Sequence, residues 1–239
     1  MRIVTDEVDL FKSVFKNIGL LADNVDFVFD ENEGLGISLL DHSHIVFYSC
    51  RFLTTFFTEY EYAGQGTYSL DATELNKILK KCRGDELEIV FDEDCRIRNG
   101  SKTFTLGLLD VDTNRTPVPP SIPYTYSIDV PMSFLKESIK DCEMYGHFIS
   151  FNATDYTFKA YSEGMMGKYF NEYTSDKELE PSESKYNVDK VAIILGADKI
   201  NDIVTVKGGT DIPLVLEITS PAEDVRVMGL IAPVIGEVE

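Results

Sequence analysis

No stretch of the 239-residue sequence approaches the ~18 consecutive apolar residues of a membrane span, so no membrane partner is expected. The first residues, Met1-Arg2-Ile3-Val4-Thr5-Asp6-Glu7, hold acids where a signal or transit peptide holds bases. Cysteine is scarce: Cys50, Cys82, Cys95 and Cys142 form no C-x-x-C pair and read as reduced core thiols of an intracellular protein. Histidine is scarcer still, with His42, His44 and His147 alone, and there is no H-E-x-x-H, G-x-S-x-G or glycine-rich phosphate loop. His42 and His44 beside Asp41 invite a metal or acid–base reading, but they share a face only in an extended segment. The chain is therefore not expected to be an enzyme, and neither a cofactor nor a metal is expected. Bases are few as well: 22 Lys and Arg face 41 Asp and Glu, for a net charge of −19. Zinc-finger and RRM signatures are missing, and so is an arginine-rich arm, which argues against site-specific nucleic-acid reading. Where the few cations sit matters more than their sum.

Proline, by contrast, is concentrated. Pro117, Pro119, Pro120 and Pro123 place four of the nine prolines in one short stretch near the midpoint, between Leu108 and Tyr126. Proline fixes φ and lacks an N–H, so this stretch is expected as a stiff extended connector, neither helix nor interior strand. The apolar content of 44% and charged content of 26% are those of an ordinary globular chain. The length suits one large domain or two of about 120 residues. The expected division is 1–110, a connector over 111–125, and 126–239.

Residues 8–22 carry Phe11, Val14, Phe15, Ile18 and Leu21 at helical spacing, with Lys12 and Lys16 on the other face. Strands are expected at Val25–Phe29, Gly36–Leu40 and Ile45–Phe52. A second helix starts at Asp71, with Glu74 completing a capping box. Its stripe is Leu75, Ile78, Leu79 and Cys82, its outer face carries Lys77, Lys80, Lys81 and Arg83, and Gly84 ends it. Strands follow at Glu86–Phe91, Cys95–Arg98 and Thr103–Leu109, with an Asn99-Gly100 hairpin turn.

After the connector the order begins again. Ser127–Val130 is expected as a strand and Pro131 opens a helix to about Tyr145, with Phe134, Leu135, Ser138, Ile139 and Cys142 inward and Lys136 and Lys140 outward. Strands at Phe148–Phe151, Tyr156–Ser162 and Lys168–Thr174 precede an acidic segment, Ser175 to Ser184, read as a loop. A fourth helix is expected from Asp189 to Ile200, then strands at Asp202–Lys207, Leu214–Thr219 and Val225–Ile231. Phe11-Lys12 and Lys16 match Leu135-Lys136 and Lys140, and Tyr68-Ser69-Leu70-Asp71 matches Tyr186-Asn187-Val188-Asp189. The chain reads as an α+β protein of two similar repeats, each with two helices packed on antiparallel sheets.

Half of the basic residues lie on or beside the helices: Lys12, Lys16, Lys77, Lys80, Lys81, Arg83, Lys136, Lys140, Lys185, Lys190 and Lys199. On the first three helices they lie opposite the apolar stripe, so each helix is expected to bury one face and present cations on the other. One such helix is an ordinary solvated face. The same device on three predicts one basic surface on an acidic body, suited to weak phosphate contacts without sequence register.

Five short segments, in order along the whole chain, resemble the proliferating cell nuclear antigen family, the DNA sliding clamps, in its archaeal form. Leu39-Leu40-Asp41-His42-Ser43-His44-Ile45 is similar to the family's Met-Asp-Ser-Ser-His-Val segment. Leu108-Leu109-Asp110-Val111-Asp112 resembles the start of its interdomain connector, and Ile122-Pro123-Tyr124 the connector's end. Asp211-Ile212-Pro213-Leu214 resembles its Asp-X-Pro-Leu strand, and Leu230-Ile231-Ala232-Pro233 its terminus. The sequence departs from the family at Val234, where a base is usual, at Ile231, and in a fourth helix poor in bases. Thr154 stands where eukaryotic clamps carry a lysine, which points to an archaeal or viral chain. That implies a cytoplasmic location, or a nuclear one if the chain is eukaryotic.

The resemblance implies a DNA clamp fold with six repeats in a homotrimeric ring and duplex DNA in the hole. The DNA-facing residues would be Lys12, Lys16, Lys77, Lys80, Lys81, Arg83, Lys136, Lys140 and Lys199. The contact between subunits would join Phe104, Leu106 and Leu108 of one copy to Tyr169, Asn171 and Tyr173 of the next. Polymerase, flap nuclease, ligase and clamp loader would dock short peptides in a pocket under the connector formed by Leu40, His44, Ile45, Val118, Ile122, Pro123, Tyr124, Leu230, Ala232 and Pro233. The rivals are one subunit of a heterotrimeric clamp, a viral decoy that forms no closed ring, and an acidic DNA mimic.

Overall fold

The computed structural model describes residues 1–64, 66–84, 86–111 and 121–235. Most of the connector, including Val118, Pro117, Pro119 and Pro120, lies outside the described residues. The chain forms two compact units, one of Met1–Val118 with Thr219–Val227 and one of Pro119–Ile218 with Met228–Glu239.

The first unit contains β1 (Arg2–Thr5), α1 (Val8–Phe15), β2 (Asn24–Asp30), β3 (Gly34–Leu40), β4 (Val46–Phe52) and β5 (Glu59–Glu61). It continues with β6 (Gly66–Asp71), α2 (Ala72–Leu79), β7 (Leu87–Phe91), β8 (Asp94–Asn99) and β9 (Lys102–Gly107). One antiparallel sheet has the order β5-β1-β7-β8-β9, and β4, β3, β2 and β6 pair in that order. Alternation drives both: Val25, Phe27 and Phe29 of β2 are buried while the residues between them are not. Phe11 and Phe15 of α1 pack on this core, with Phe15 stacked 5.5 Å from Phe27 and Phe11 5.1 Å from Phe52. Each such ring pair adds about 0.5–1.5 kcal/mol beyond the area it buries.

The second unit contains β10 (Tyr126–Pro131), α3 (Met132–Cys142), β11 (Phe148–Gly164), β12 (Gly167–Asn187), α4 (Val188–Ile194), β13 (Ile203–Gly208) and β14 (Leu214–Thr219). The last strand of the chain is β15 (Val225–Ile231). Strands β10, β13 and β14 pair in order, while β11 and β12 form a long hairpin. Phe134, Leu135, Ser138, Ile139 and Cys142 of α3 are all buried.

The sequence-based elements hold in kind and differ in extent. The first helix stops at Phe15 instead of near Leu21, and a 3-10 turn at Ile18–Leu20 follows. Asn17 and Gly19 interrupt the helix, and the tighter turn still buries Ile18 and Leu21. The fourth helix ends at Ile194, well short of Ile200, where Gly196 follows; its N-cap is Asn187, whose side chain accepts from Lys190 N at 3.1 Å.

The largest correction concerns Ser175–Ser184, expected as a loop. It is strand, the far half of β12, in register with β11 through Ser182↔Ala153 and Ser184↔Phe151. Its buried positions are Ser175, Leu179, Ser182 and Ser184, spaced irregularly and mostly polar, so neither burial nor hydropathy keeps a period of two. Ser184 Oγ donates to Gly209 O at 2.8 Å and accepts from Asp211 N at 2.7 Å, which satisfies the hydroxyl on the inner face. The hairpin bends where its register shifts around Asp155, a residue with φ of 54°.

All four cysteines are free and buried. No helix of the described residues is long and apolar enough to cross a membrane.

Candidate nucleic-acid and partner interfaces

In the first unit α1 and α2 turn their apolar stripes, Phe11, Val14 and Phe15 with Leu75 and Leu79, into the core. Two hydrogen bonds lock the helices together: Asn76 Nδ2 donates to Lys16 O at 2.7 Å, and Lys12 Nζ to Cys82 O at 2.9 Å. The Asp71 carboxylate caps α2 by accepting from Glu74 N at 2.7 Å. These contacts leave Lys16, Lys77, Lys80, Lys81 and Arg83 exposed.

The nine cations expected to face DNA fall into two groups. Lys12 is half-buried and bonded to Asp9 at 3.0 Å as well as to Cys82. Lys136 is ion-paired with Asp198. Lys77 pairs with Glu74 at 2.7 Å, an exposed contact that raises the ammonium's pKa, first through that hydrogen bond. For Lys16, Lys80, Lys81, Arg83, Lys140 and Lys199 no side-chain ion pair occurs among the described residues. Four of these six lie in the first unit, three of them clustered after α2. The Arg83 backbone is held there by Asn99 Oδ1, which accepts its N–H at 2.7 Å. Lys199 lies beyond α4.

Each unit has an open strand edge. Among the described residues β9 pairs only with β8, and β12 only with β11. Phe104 and Leu106 of β9 are half-buried between exposed neighbours, and Leu108 lies just past the strand's end at Gly107. Tyr169, Asn171 and Tyr173 turn toward α3 and its end: Tyr173 lies 5.7 Å from Phe134, Asn171 Nδ2 bonds Ser138 Oγ at 3.2 Å, and Tyr169 stacks 6.4 Å from Tyr145. Burial lifts the Tyr169 pKa. The opposite face carries Lys159 over the Phe170 ring at 4.5 Å, beside a shallow cavity of about 320 Å³ also lined by Asn152, Tyr161 and Glu183. Tyr161 donates to Glu183, and Asn152 Nδ2 reaches the same carboxylate at 3.0 Å.

The residues expected for a peptide pocket are divided between the units. In the first, Leu40 ends β3, half-buried, and His44 and Ile45 are exposed in the turn that follows. The organiser of that turn is buried Asp41. Its Oδ1 accepts from Ile45 N and Val46 N, both at 2.7 Å, and its Oδ2 from Ser43 Oγ at 2.5 Å. The turn holds His44 at φ 57°. This role of Asp41 is readable only as the turn tendency of aspartate.

In the second unit Ile122 and Tyr124 are half-buried and Pro123 exposed; burial, followed by the charge of Glu217, raises the Tyr124 pKa. Leu230, Ala232 and Pro233 are half-buried, and Val234 N donates to Lys185 O at 2.8 Å, which fixes the chain after β15. Val118 lies outside the described residues. His42 sits 3.6 Å from Asp23 with both side chains largely exposed, and no group of three or more metal-ligating His, Cys, Asp or Glu occurs among the described residues.

No family model matches the chain. It is 28% identical over 234 residues to the DNA polymerase sliding clamp of Methanothermobacter thermautotrophicus, covering 95% of each. The fold superposes on crystallised PCNA from Thermococcus kodakaraensis with a TM-score of 0.87 and 24% identity, over 98% of this chain and 99% of that one. It superposes on A. fulgidus PCNA, solved with the C-terminal region of FEN-1 bound, with a TM-score of 0.89 and 18% identity over 99% of each chain. The chain therefore has the fold of the DNA sliding clamps and is a homologue, over nearly its whole length, of the archaeal DNA polymerase sliding clamps.

Proposed function

We propose that the chain is a DNA sliding clamp that acts without catalysis. Two clamp repeats, 1–110 and 126–239, joined by the connector 111–125, form one subunit. Three copies close head to tail, β9 of one copy adding to the open edge of β12 in the next. This heterologous contact closes by rotation and leaves no free edge. Duplex DNA passes through the hole, and the ring stays on it by topological linkage. The cytoplasm is the site of action.

The observation that carries this reading is the basic face of the first unit. Lys16, Lys80, Lys81 and Arg83 stand exposed at or just past the C-terminal ends of two helices whose apolar faces are core, in a chain of net charge −19. An acidic body repels DNA elsewhere and leaves this face as the place where phosphates are tolerated. Polymerase, flap nuclease, ligase and an ATP-driven clamp loader dock through peptides whose apolar anchors enter the pocket of Leu40, His44, Ile45, Val118, Ile122, Pro123, Tyr124, Leu230, Ala232 and Pro233. The FEN-1 segment bound to A. fulgidus PCNA supports that mode of recruitment.

The test is topological. Protein loaded onto nicked circular DNA by a clamp loader and ATP should stay bound through gel filtration and leave once the circle is linearised. Equal retention on circles and linear DNA would sink the reading. Acidic substitution of Lys77, Lys80 and Lys81 should depress loading and polymerase stimulation, and unchanged processivity would remove the DNA-facing assignment.

A further inference from the structure

The hairpin between β11 and β12 ends in Met165 and Met166, both almost fully exposed at 104% and 85%. Two large apolar side chains held in water are costly unless something covers them. They are not on a loose tip. Gly164 lies so close to the end of α3 that a Cβ there would stand 1.9 Å from Tyr145 O. Gly167 has φ of 134° and packs under the Tyr145 ring, which stacks on Tyr169. The glycines on either side thus pin the methionines at the start of the open β12 edge. Met144, 73% exposed, is the residue before Tyr145.

The first unit has a matching feature. Just past the end of the open strand β9, Leu109 and Val111 are exposed at 39% and 37%. Leu109 is fixed too, because its N–H donates to Ser69 O at 2.9 Å in an antiparallel bridge with β6. Each open edge therefore leads into an exposed apolar pair, and Leu109 of the first pair is fixed by its bond to Ser69. If β9 of one copy adds antiparallel to the first residues of β12 in the next, around Tyr169, Asn171 and Tyr173, the end of β9 lies beside the start of β12.

Resting on the ring proposed above, we infer that Met165 and Met166 form a hydrophobic latch that docks on Leu109 and Val111 of the neighbouring copy. The occupant of this patch is a second copy of the chain. Strand addition supplies hydrogen bonds common to any pair of edges, whereas the latch supplies apolar area and selects the correct edge. Methionine suits the task because its unbranched thioether adapts to the surface it meets. Leu109 and the glycines that flank the methionines are held in place before contact, which reduces the ordering entropy that opposes docking.

Two variants, each with one added cysteine, test the latch directly: Leu109→Cys in one chain and Met166→Cys in another. The four native cysteines are buried and poorly accessible to a maleimide. Mixed and treated with a short bismaleimide, the two chains should give a crosslinked pair at twice 26.9 kDa that neither variant gives alone. In parallel, Met165→Gln with Met166→Gln should raise the subunit dissociation constant roughly tenfold or more, while Met165→Leu with Met166→Leu leaves it near the wild-type value. A wild-type trimer with neither crosslink nor change in the glutamine variant would overturn the latch and leave the ring standing. A wild-type chain that stays at 26.9 kDa at every concentration would overturn both.

Discussion

Lys12 Nζ donates to the carbonyl oxygen of Cys82 at 2.9 Å, so a lysine on α1 closes off the end of α2. Its side chain is only 22% exposed and is also bonded to Asp9. Lys12 therefore acts first as a tie between helices. Lys12→Met should cost about 1–2 kcal/mol of stability with a small effect on DNA loading. Lys80→Ala with Lys81→Ala should do the reverse, staying within about 0.5 kcal/mol of wild type in thermal or denaturant melts while weakening loading.

Asp41 should prove as consequential as any pocket side chain. Asp41→Ala leaves the amides of Ile45 and Val46 without their acceptor and releases His44 from its left-handed turn. A loss of about 1–3 kcal/mol is expected. Calorimetry with a partner peptide should show binding weakened at least about tenfold. Unchanged peptide affinity would remove the turn from the pocket.

Acid should weaken the first unit through Glu88. Arg2 Nε donates to its carboxylate at 2.6 Å and, as the leading cause, holds its pKa below the ordinary value of 4.5. The folded chain takes up this proton less readily than the unfolded one. The contribution is therefore complete above pH 4.5 and drains away as the pH falls through the lowered folded value. Glu88→Gln should be less stable near neutrality and lose stability less steeply in acid. Urea melts across that range would show it, and parallel pH profiles for the two proteins would refute it.

The caps of α2 and α4 should be of similar worth. Asp71 and Asn187 each accept an amide three residues on, at 2.7 and 3.1 Å. Asp71→Ala and Asn187→Ala should each cost about 1 kcal/mol in a denaturant melt.

The parts of this fold that were legible in the sequence are those written in hydropathy. The stripes of α1, α2 and α3 and the alternation of β2 emerge from local periodicity, and the Asp71 cap from a four-residue pattern. The misread segments hide theirs. Ser175–Ser184 buries mainly serines at irregular spacing, so the strand carries no periodic apolar signal. The strand β1 is four residues long and depends on pairing with β5 on one side and β7 on the other, both distant in sequence. The same holds at the candidate sites. That Lys77, Lys80 and Lys81 lie off the apolar stripe was plain from spacing. That Lys136 is paired with Asp198, far along the chain, was not. Spacing also puts Tyr169, Asn171 and Tyr173 on one face of a strand, but only the position of α3 decides which way that face turns.

The central claim is a closed ring of three chains, and its most direct test is the mass of the unmodified protein in solution by light scattering, over a range of salt and concentration. The account predicts a stable species at 3 × 26.9 kDa, about 81 kDa, persisting on dilution into the micromolar range. A single species at 26.9 kDa under every condition would contradict it.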